Sequence, residues 1–216
     1  MELTKYGHSC IRIDEGERAI AIDPGVFSDV PEALDGASAV LITHEHADHI
    51  DAETLRRAAG RDSRMRIFAP TPVAESLADL GEQVVSVAAG ESFEADGFAV
   101  RTFGGQHALI HPTIPIVANL GYLIEEPELT VYHPGDSLIV PPVPVSVLFT
   151  PVHAPWSKVS EVIDFLVAVR APRAVGIHDA LLTDAGRGIV EGHLTRIGAE
   201  HGVEYRALAT GEALEV

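Results

Sequence analysis

Cysteine is nearly absent from this sequence: among 216 residues there is one, Cys10. A lone thiol excludes an internal disulfide and fits a reducing compartment, so the expected location is cytoplasmic. Positive charge is scarce as well, with 15 Lys and Arg against 32 Asp and Glu and a formal net charge of −17. Proteins that grip phosphodiester backbones cluster their cations. Here the cations are scattered, so long nucleic acid is disfavoured and a small-molecule substrate is the expected partner. No apolar run approaches the ~18 residues a membrane span requires. The first residues, Met1-Glu2-Leu3-Thr4-Lys5, lack the basic-then-apolar pattern of a signal peptide. We therefore expect neither a membrane partner nor a leader. Low-complexity segments, linkers and exact internal repeats are missing, and no Gly-x-Ser-x-Gly marks a serine nucleophile. The length suits one domain spanning 1–216 better than two. Assembly into a homo-oligomer is left open.

What is present is concentrated in one stretch. Thr43-His44-Glu45-His46-Ala47-Asp48-His49 follows the apolar run Ala39-Val40-Leu41-Ile42. Imidazole and carboxylate are the usual nitrogen and oxygen ligands of zinc and related divalent ions. In extended chain residues two apart share a side, so His44 and His46 can close on one ion. Asp48 and His49 are then free to face a second. The competing reading is a histidine-rich surface loop, but H-x-H-x-D-H directly after a buried strand is hard to obtain from composition alone. A helix should follow, with Asp51 as N-cap, Ala52 to Ala59 as body and Gly60 as terminator.

Around this stretch the chain reads as short strands and later helices. Strands are expected over Leu3–Tyr6, Cys10–Asp14, Ala19–Asp23, Arg66–Pro70, Val84–Val87, Phe93–Glu94 and Phe98–Phe103, divided by glycine turns. Thr71 should cap a helix with Pro72 in its first turn. Leu120–Glu125 and Leu129–His133 form a hairpin around Glu126-Pro127-Glu128, and Val145–Pro151 and Ala174–Ile177 are further strands. Ser157 is read as the cap of a helix to Arg170 with a broad apolar stripe, and a last helix runs from about Ala185 to His201. Val203–Leu208 is read as the closing strand. Strands first and helices later in each half suit two sheets packed face to face with helices outside.

His44-x-His46-x-Asp48-His49 resembles the signature of the metallo-β-lactamase superfamily. The resemblance covers nearly the whole chain and implies an α/β (α+β) fold, a four-layer αββα sandwich with a metal centre at one edge. It also implies three later ligands, each after a strand. His107, in Gly104-Gly105-Gln106-His107, matches the third histidine. Asp136, in Gly135-Asp136-Ser137, matches an aspartate that bridges two ions, a task suited to a carboxylate with two oxygens. His178, after Ala174-Val175-Gly176-Ile177, matches the last histidine. In this pattern His44, His46 and His107 hold one ion, Asp48, His49 and His178 a second, and Asp136 joins them. The expected cofactors are two divalent ions, zinc first, with manganese or iron as alternatives.

Other positions carry weaker signals. Asp23 resembles the family's aspartate that orients a ligating histidine through its free N–H, against a simpler reading as a turn cap. Gly7-His8-Ser9 resembles the opening of the branch that includes ascorbate-6-phosphate lactonase, so His8 is expected to face the site or to brace the first hairpin. His153, after another strand, departs from the small residue common there and is a candidate for substrate contact or proton transfer, with Trp156 as an adjacent apolar wall. His111 is expected at the rim or exposed, His133 turned into packing, and His193 and His201 on the surface. The resemblance implies a hydrolase that uses a metal-bound hydroxide, oriented by Asp48, on a small ester, lactone, amide or phosphodiester. The alternatives are an iron-dependent oxidoreductase or dioxygenase on the same fold, and a non-catalytic metal-binding protein.

Overall fold

The computed structural model describes residues 1–216. Fourteen strands form two seven-stranded sheets. The first holds β1 (Glu2–Lys5), β2 (Ile11–Glu15), β3 (Arg18–Ile22), β4 (Ala39–Leu41), β5 (Arg66–Ala69), β6 (Val84–Ser86) and β14 (Ala213–Glu215), in the order β14-β1-β2-β3-β4-β5-β6. The second holds β7 (Ser92–Ala95), β8 (Phe98–Gly104), β9 (Leu120–Glu126), β10 (Leu129–His133), β11 (Val147–Pro151), β12 (Arg173–Ile177) and β13 (Glu204–Arg206), in the order β13-β12-β11-β10-β9-β8-β7. In each sheet an antiparallel meander comes first and parallel strands follow.

Side-chain alternation along the strands builds four layers. Ile20, Ile22, Ala39 and Leu41 face inward, meeting Tyr122, Ile124, Phe149 and Val175 of the second sheet in the central core. Their neighbours Ala21, Val40 and Ile42 face outward against helices α1 (Val30–Leu34), α2 (Ala52–Ala59) and α3 (Thr71–Ser76). On the far side Leu123, Leu148 and Ala174 pack on α4 (Val159–Val169) and α5 (Asp184–Glu200). Tyr122 pins the two sheets together: buried between them, its hydroxyl donates to the carbonyls of Ile42 at 2.9 Å and Phe68 at 3.3 Å. This is the αββα sandwich expected from the resemblance.

The structure corrects several local expectations. Asp51 does cap α2, accepting the Thr54 N–H at 3.0 Å. Thr71, however, lies inside α3, whose cap position is Pro70, and the Thr71 hydroxyl meets Ser86 instead. Ser157 does not cap α4 either. Its hydroxyl takes the Ala154 N–H, while the helix starts after Lys158, whose N–H is held by Glu161. The closing strand is Ala213–Glu215 paired with β1, and the Val203–Leu208 strand shrinks to Glu204–Arg206. Helix α1 and a 3₁₀ turn over Ala78–Gln83 had no clear periodic signal.

Candidate metal centre

Every candidate ligand sits where a strand has just ended. Asp23 follows β3, the histidine-rich stretch follows β4, His107 follows β8, Asp136 follows β10 and His178 follows β12. In sheets of this kind those strand ends open onto one edge, where ligand sites concentrate. The loops are held in demanding backbone shapes. Asp23, His8 and His178 adopt φ of 51°, 40° and 59°, and they are three of only five non-glycine residues with positive φ. Such conformations cost on the order of 1–3 kcal/mol each and persist only where surroundings enforce them. Gly25 is needed for close approach, because a Cβ there would sit on the Asp48 carbonyl. Gly135 is fixed likewise: its φ is 60°, and a Cβ would strike Asn119 and Thr43.

Hydrogen bonds around the site decide which imidazole nitrogens are free. The buried Asp23 carboxylate accepts the Thr43 N–H and hydroxyl, each at 2.7 Å, and the His49 Nδ1–H at 2.6 Å. Since the Thr43 hydroxyl proton is committed to Asp23, its oxygen must accept from His44 Nδ1, 2.9 Å away. His107 Nδ1 donates to the Ala108 carbonyl and His178 Nδ1 to the His153 carbonyl, both at 2.6 Å. Four histidines thus have Nδ1 fixed as donor, which turns Nε2 inward, as a lone pair on His44, His107 and His178 and on His49 once it gives up its second proton. Such a tautomer is what a ligating histidine needs. His46 presents Nδ1 at 3.0 Å from His44 Nε2, near the spacing of about 3.3 Å between two ligands on one tetrahedral ion with ~2 Å bonds.

The ligand atoms fall into two groups, each with all members within 4.8 Å of one another: His44, His46, His107 and Asp136, and His8, Asp48, His49 and His178. Asp136 also spans the gap between the groups, with Oδ1 at 3.1 Å from His49 Nε2 and Oδ2 at 3.2 Å from His178 Nε2. These approaches are close but badly aimed. His49 Nε2, His178 Nε2 and Asp136 Oδ1 are buried with no hydrogen-bond partner. Leaving such groups unmatched costs about 1–3 kcal/mol each, and a pair of cations would satisfy all three. The donor set, nitrogen-rich with carboxylates, fits zinc or another first-row metal better than calcium or magnesium.

Electrostatics agree with that fit. Burial pushes His44 well below the ordinary histidine value, and neighbouring His49 pushes it further, which keeps its lone pair available. Burial would raise the Asp136 carboxyl, but His49, His107 and His178 outweigh it and hold it well below the usual range. His49 goes the other way. Although burial lowers it, Asp136 and Asp23 on either side hold its proton in the metal-free protein. For Asp48 burial again raises the value, while the His8 hydrogen bond and two nearby histidines bring it down to about 2.

His8 lies inside the site. Its Nδ1 accepts the Ala180 N–H at 3.2 Å, so the proton is on Nε2, which donates to Asp48 Oδ2 at 3.3 Å. Half-buried His153 contributes its carbonyl to His178, and its imidazole makes no hydrogen bond within the protein. Trp156 differs from its expected role as an apolar wall: its indole N–H donates to Asp136 Oδ2 at 2.9 Å, with the ring edge-on to His107 and His178. His111 is exposed, and His133 is buried against the Ser9 carbonyl. Thr43 and Asn119 were not singled out from sequence. Asn119 accepts the Asp136 N–H and donates to the Pro134 carbonyl, both at 2.9 Å, and so fixes the Asp136 turn. Nothing in an isolated asparagine at the start of a strand signals that job.

Fold and site together define a metal-binding αββα protein. The sequence matches the Beta-lactamase superfamily domain over residues 2–178. The chain belongs to the metallo-β-lactamase superfamily. It is 42 % identical over 199 residues to Protein Rv0786c of Mycobacterium tuberculosis, covering 91 % of this chain and 92 % of that one. It is also 32 % identical to a UPF0173 metal-dependent hydrolase of Xanthobacter autotrophicus, over 63 % of this chain and 62 % of that protein. Among solved structures, Igni18, a metallo hydrolase from Ignicoccus hospitalis, superposes with a TM-score of 0.76 at 20 % identity, covering 99 % of this chain and 97 % of the other. CmlA, a diiron β-hydroxylase from Streptomyces venezuelae, does so with a TM-score of 0.77 at 19 % identity, covering all of this chain and 54 % of the larger one. At these identities the structural likenesses speak for the fold alone. No helix is long and apolar enough to cross a membrane.

Proposed function

We propose that the chain is a cytoplasmic hydrolase of small esters, lactones, amides or phosphodiesters, with a dinuclear zinc centre. His44, His46 and His107 would hold one ion and Asp48, His49 and His178 the other, with Asp136 placed between the two groups. The observation that carries this is the set of inward-facing nitrogens whose tautomers are already fixed, around three buried polar atoms that lack partners.

When bound, such ions lower the pKa of water toward ~7 and polarise the bond under attack. The protein's own groups do the rest. Asp136, with its side chain 4 % exposed, is shut in and serves structure. Asp48, at 23 %, is the carboxylate that substrate and water can reach, so it orients the water and takes its proton. The His8 N–H keeps Asp48 ionised and turned toward the site. His153, unpaired on the loop after β11, is free to contact the substrate or protonate its leaving group.

A second reading, iron-dependent oxidation, draws on the likeness to a diiron hydroxylase. Elemental analysis of protein purified without added metal, followed by parallel ester, lactone and phosphodiester screens and oxygen-consumption assays, separates the two. Zinc with turnover in the hydrolytic screens supports the hydrolase. Iron with oxygen uptake and no hydrolysis contradicts it.

A further inference from the structure

The loops that bear the ligands also bear most of the protein's exposed grease. Ten large apolar side chains are exposed, and only Val159 and Ile189 lie on helices. Val26 and Phe27 follow β3, and Phe27 stands edge-on to His8 with ring centroids 5.5 Å apart. Leu109, Ile114 and Ile116 follow β8, in the loop that presents His107. Ile139 and Val140 follow β10 just past Asp136, and Leu181 follows His178.

Charge is sparse on three of these loops. Residues 105–119 and 137–146 contain no Asp, Glu, Lys or Arg, and residues 152–158 contain only Lys158, in a chain that is 22 % charged. Exposed isoleucine in uncharged loops is costly for solubility, and contiguous apolar surface usually marks a binding site. A phosphorylated substrate would call for an unpaired Arg or Lys on these three loops, and the one cation there, Lys158, pairs with Glu161 at 3.3 Å.

We propose that these loops form an apolar subsite beside the metal cluster, with no unpaired cation on the loops after β8, β10 and β11, and that it takes the acyl or alkyl part of an ester or lactone without a phosphate group. This rests on the reading of the cluster as a hydrolytic metal centre. Continuity with the ligand loops favours a substrate over other occupants. Docking on an anionic membrane is disfavoured, because the formal charge of −17 repels it.

The protein contains one tryptophan, Trp156, and its indole touches Asp136, so intrinsic fluorescence reports directly on this edge. The test titrates the zinc-loaded protein with alkyl hydroxamates from acetohydroxamate to decanohydroxamate. The expected result is an affinity that rises roughly two- to four-fold per added methylene, as apolar burial predicts. Ile114→Asp and Ile139→Asp should each lower the decano-to-aceto affinity ratio at least ten-fold, while Ile189→Asp on α5 leaves the ratio as it is. Acetohydroxamate binding with no chain-length dependence overturns the apolar subsite and leaves the metal centre standing. A ratio unmoved by both loop variants also overturns it. Failure of zinc-loaded protein to bind acetohydroxamate overturns the metal centre and the subsite with it. Sedimentation with neutral vesicles, or a chain-length effect that vanishes on dilution to monomer, assigns the surface to a membrane or to a second copy and overturns the proposal.

Discussion

At the scale of single residues, the account turns on how a few hydrogen bonds preset the ligands. His8 is the clearest case, because its Nδ1 is tied to Ala180 and its proton must point at Asp48. Replacing His8 with alanine should weaken metal binding in the group of Asp48, His49 and His178 by about ten- to a hundred-fold, the usual loss when a ligand's supporting partner is removed. Competition with a chelating indicator measures this, and unchanged affinity would place His8 outside the ligand system. Trp156→Phe keeps the ring and removes the N–H donated to Asp136. It should retain metal but lower kcat/KM about ten-fold on a working substrate. Protons supply a further check. In the metal-free protein His49 lies between two carboxylates and its affinity for a proton is raised. Metal uptake must displace that proton, so uptake should release acid and metal affinity should rise with pH through and above the ordinary histidine range. Affinity independent of pH would contradict this. The candidate ligands that the fold brings together were legible in the sequence, because His44, His46, Asp48 and His49 form a compact motif and the later three sit beside glycines or at the ends of apolar strands. Of the supporting residues, Asp23 and His8 were named through the resemblance, whereas Asn119 and the Asp136 contact of Trp156 were not. Trp156 and Asn119 act through contacts made 20 and 17 residues away in sequence, to Asp136 in both cases, and no local pattern encodes such a meeting.

At the scale of elements, the strands were more legible than the caps. Alternation such as Ala19-Ile20-Ala21-Ile22 specifies a two-sided buried strand whatever surrounds it. Caps depend on which of several neighbouring polar groups wins the helix terminus, and Ser157 lost to a local turn with Ala154. The last strand, Ala213–Glu215, is three residues long and exists because β1 offers it an edge. A tertiary partner, not its own pattern, made it. Tyr122 is where element packing can be tested. Tyr122→Phe leaves the ring in the core and removes the donor to the Ile42 carbonyl, while the Phe68 carbonyl keeps the Ile42 N–H. It should cost about 1 kcal/mol of stability, within the range for one buried hydrogen bond, measured as a shift in denaturation midpoint with an unchanged slope. A loss no larger than experimental scatter would mean that the hydroxyl does not tie the sheets together.

At the scale of the whole molecule, two sheets with the same order of antiparallel then parallel strands bring their strand ends to one edge, and the ligands come from both. The first sheet supplies the candidate ligands His44, His46, Asp48 and His49, with Asp23 holding His49 in place. The second supplies His107, Asp136 and His178. A metal cluster bound there would link the two sheets, so removing it should loosen the sandwich as well as stop turnover. Chelation is expected to lower Tm by several degrees, because anything bound only to the native state stabilises it. The most direct test of the central claim is the count of metal per chain after reconstitution in turn with zinc, manganese and iron. The account predicts two ions per chain, and clearly less metal with collapsed activity in Asp136→Ala. Less than half an equivalent with every metal, or an Asp136→Ala variant with full metal content and wild-type turnover, would contradict it.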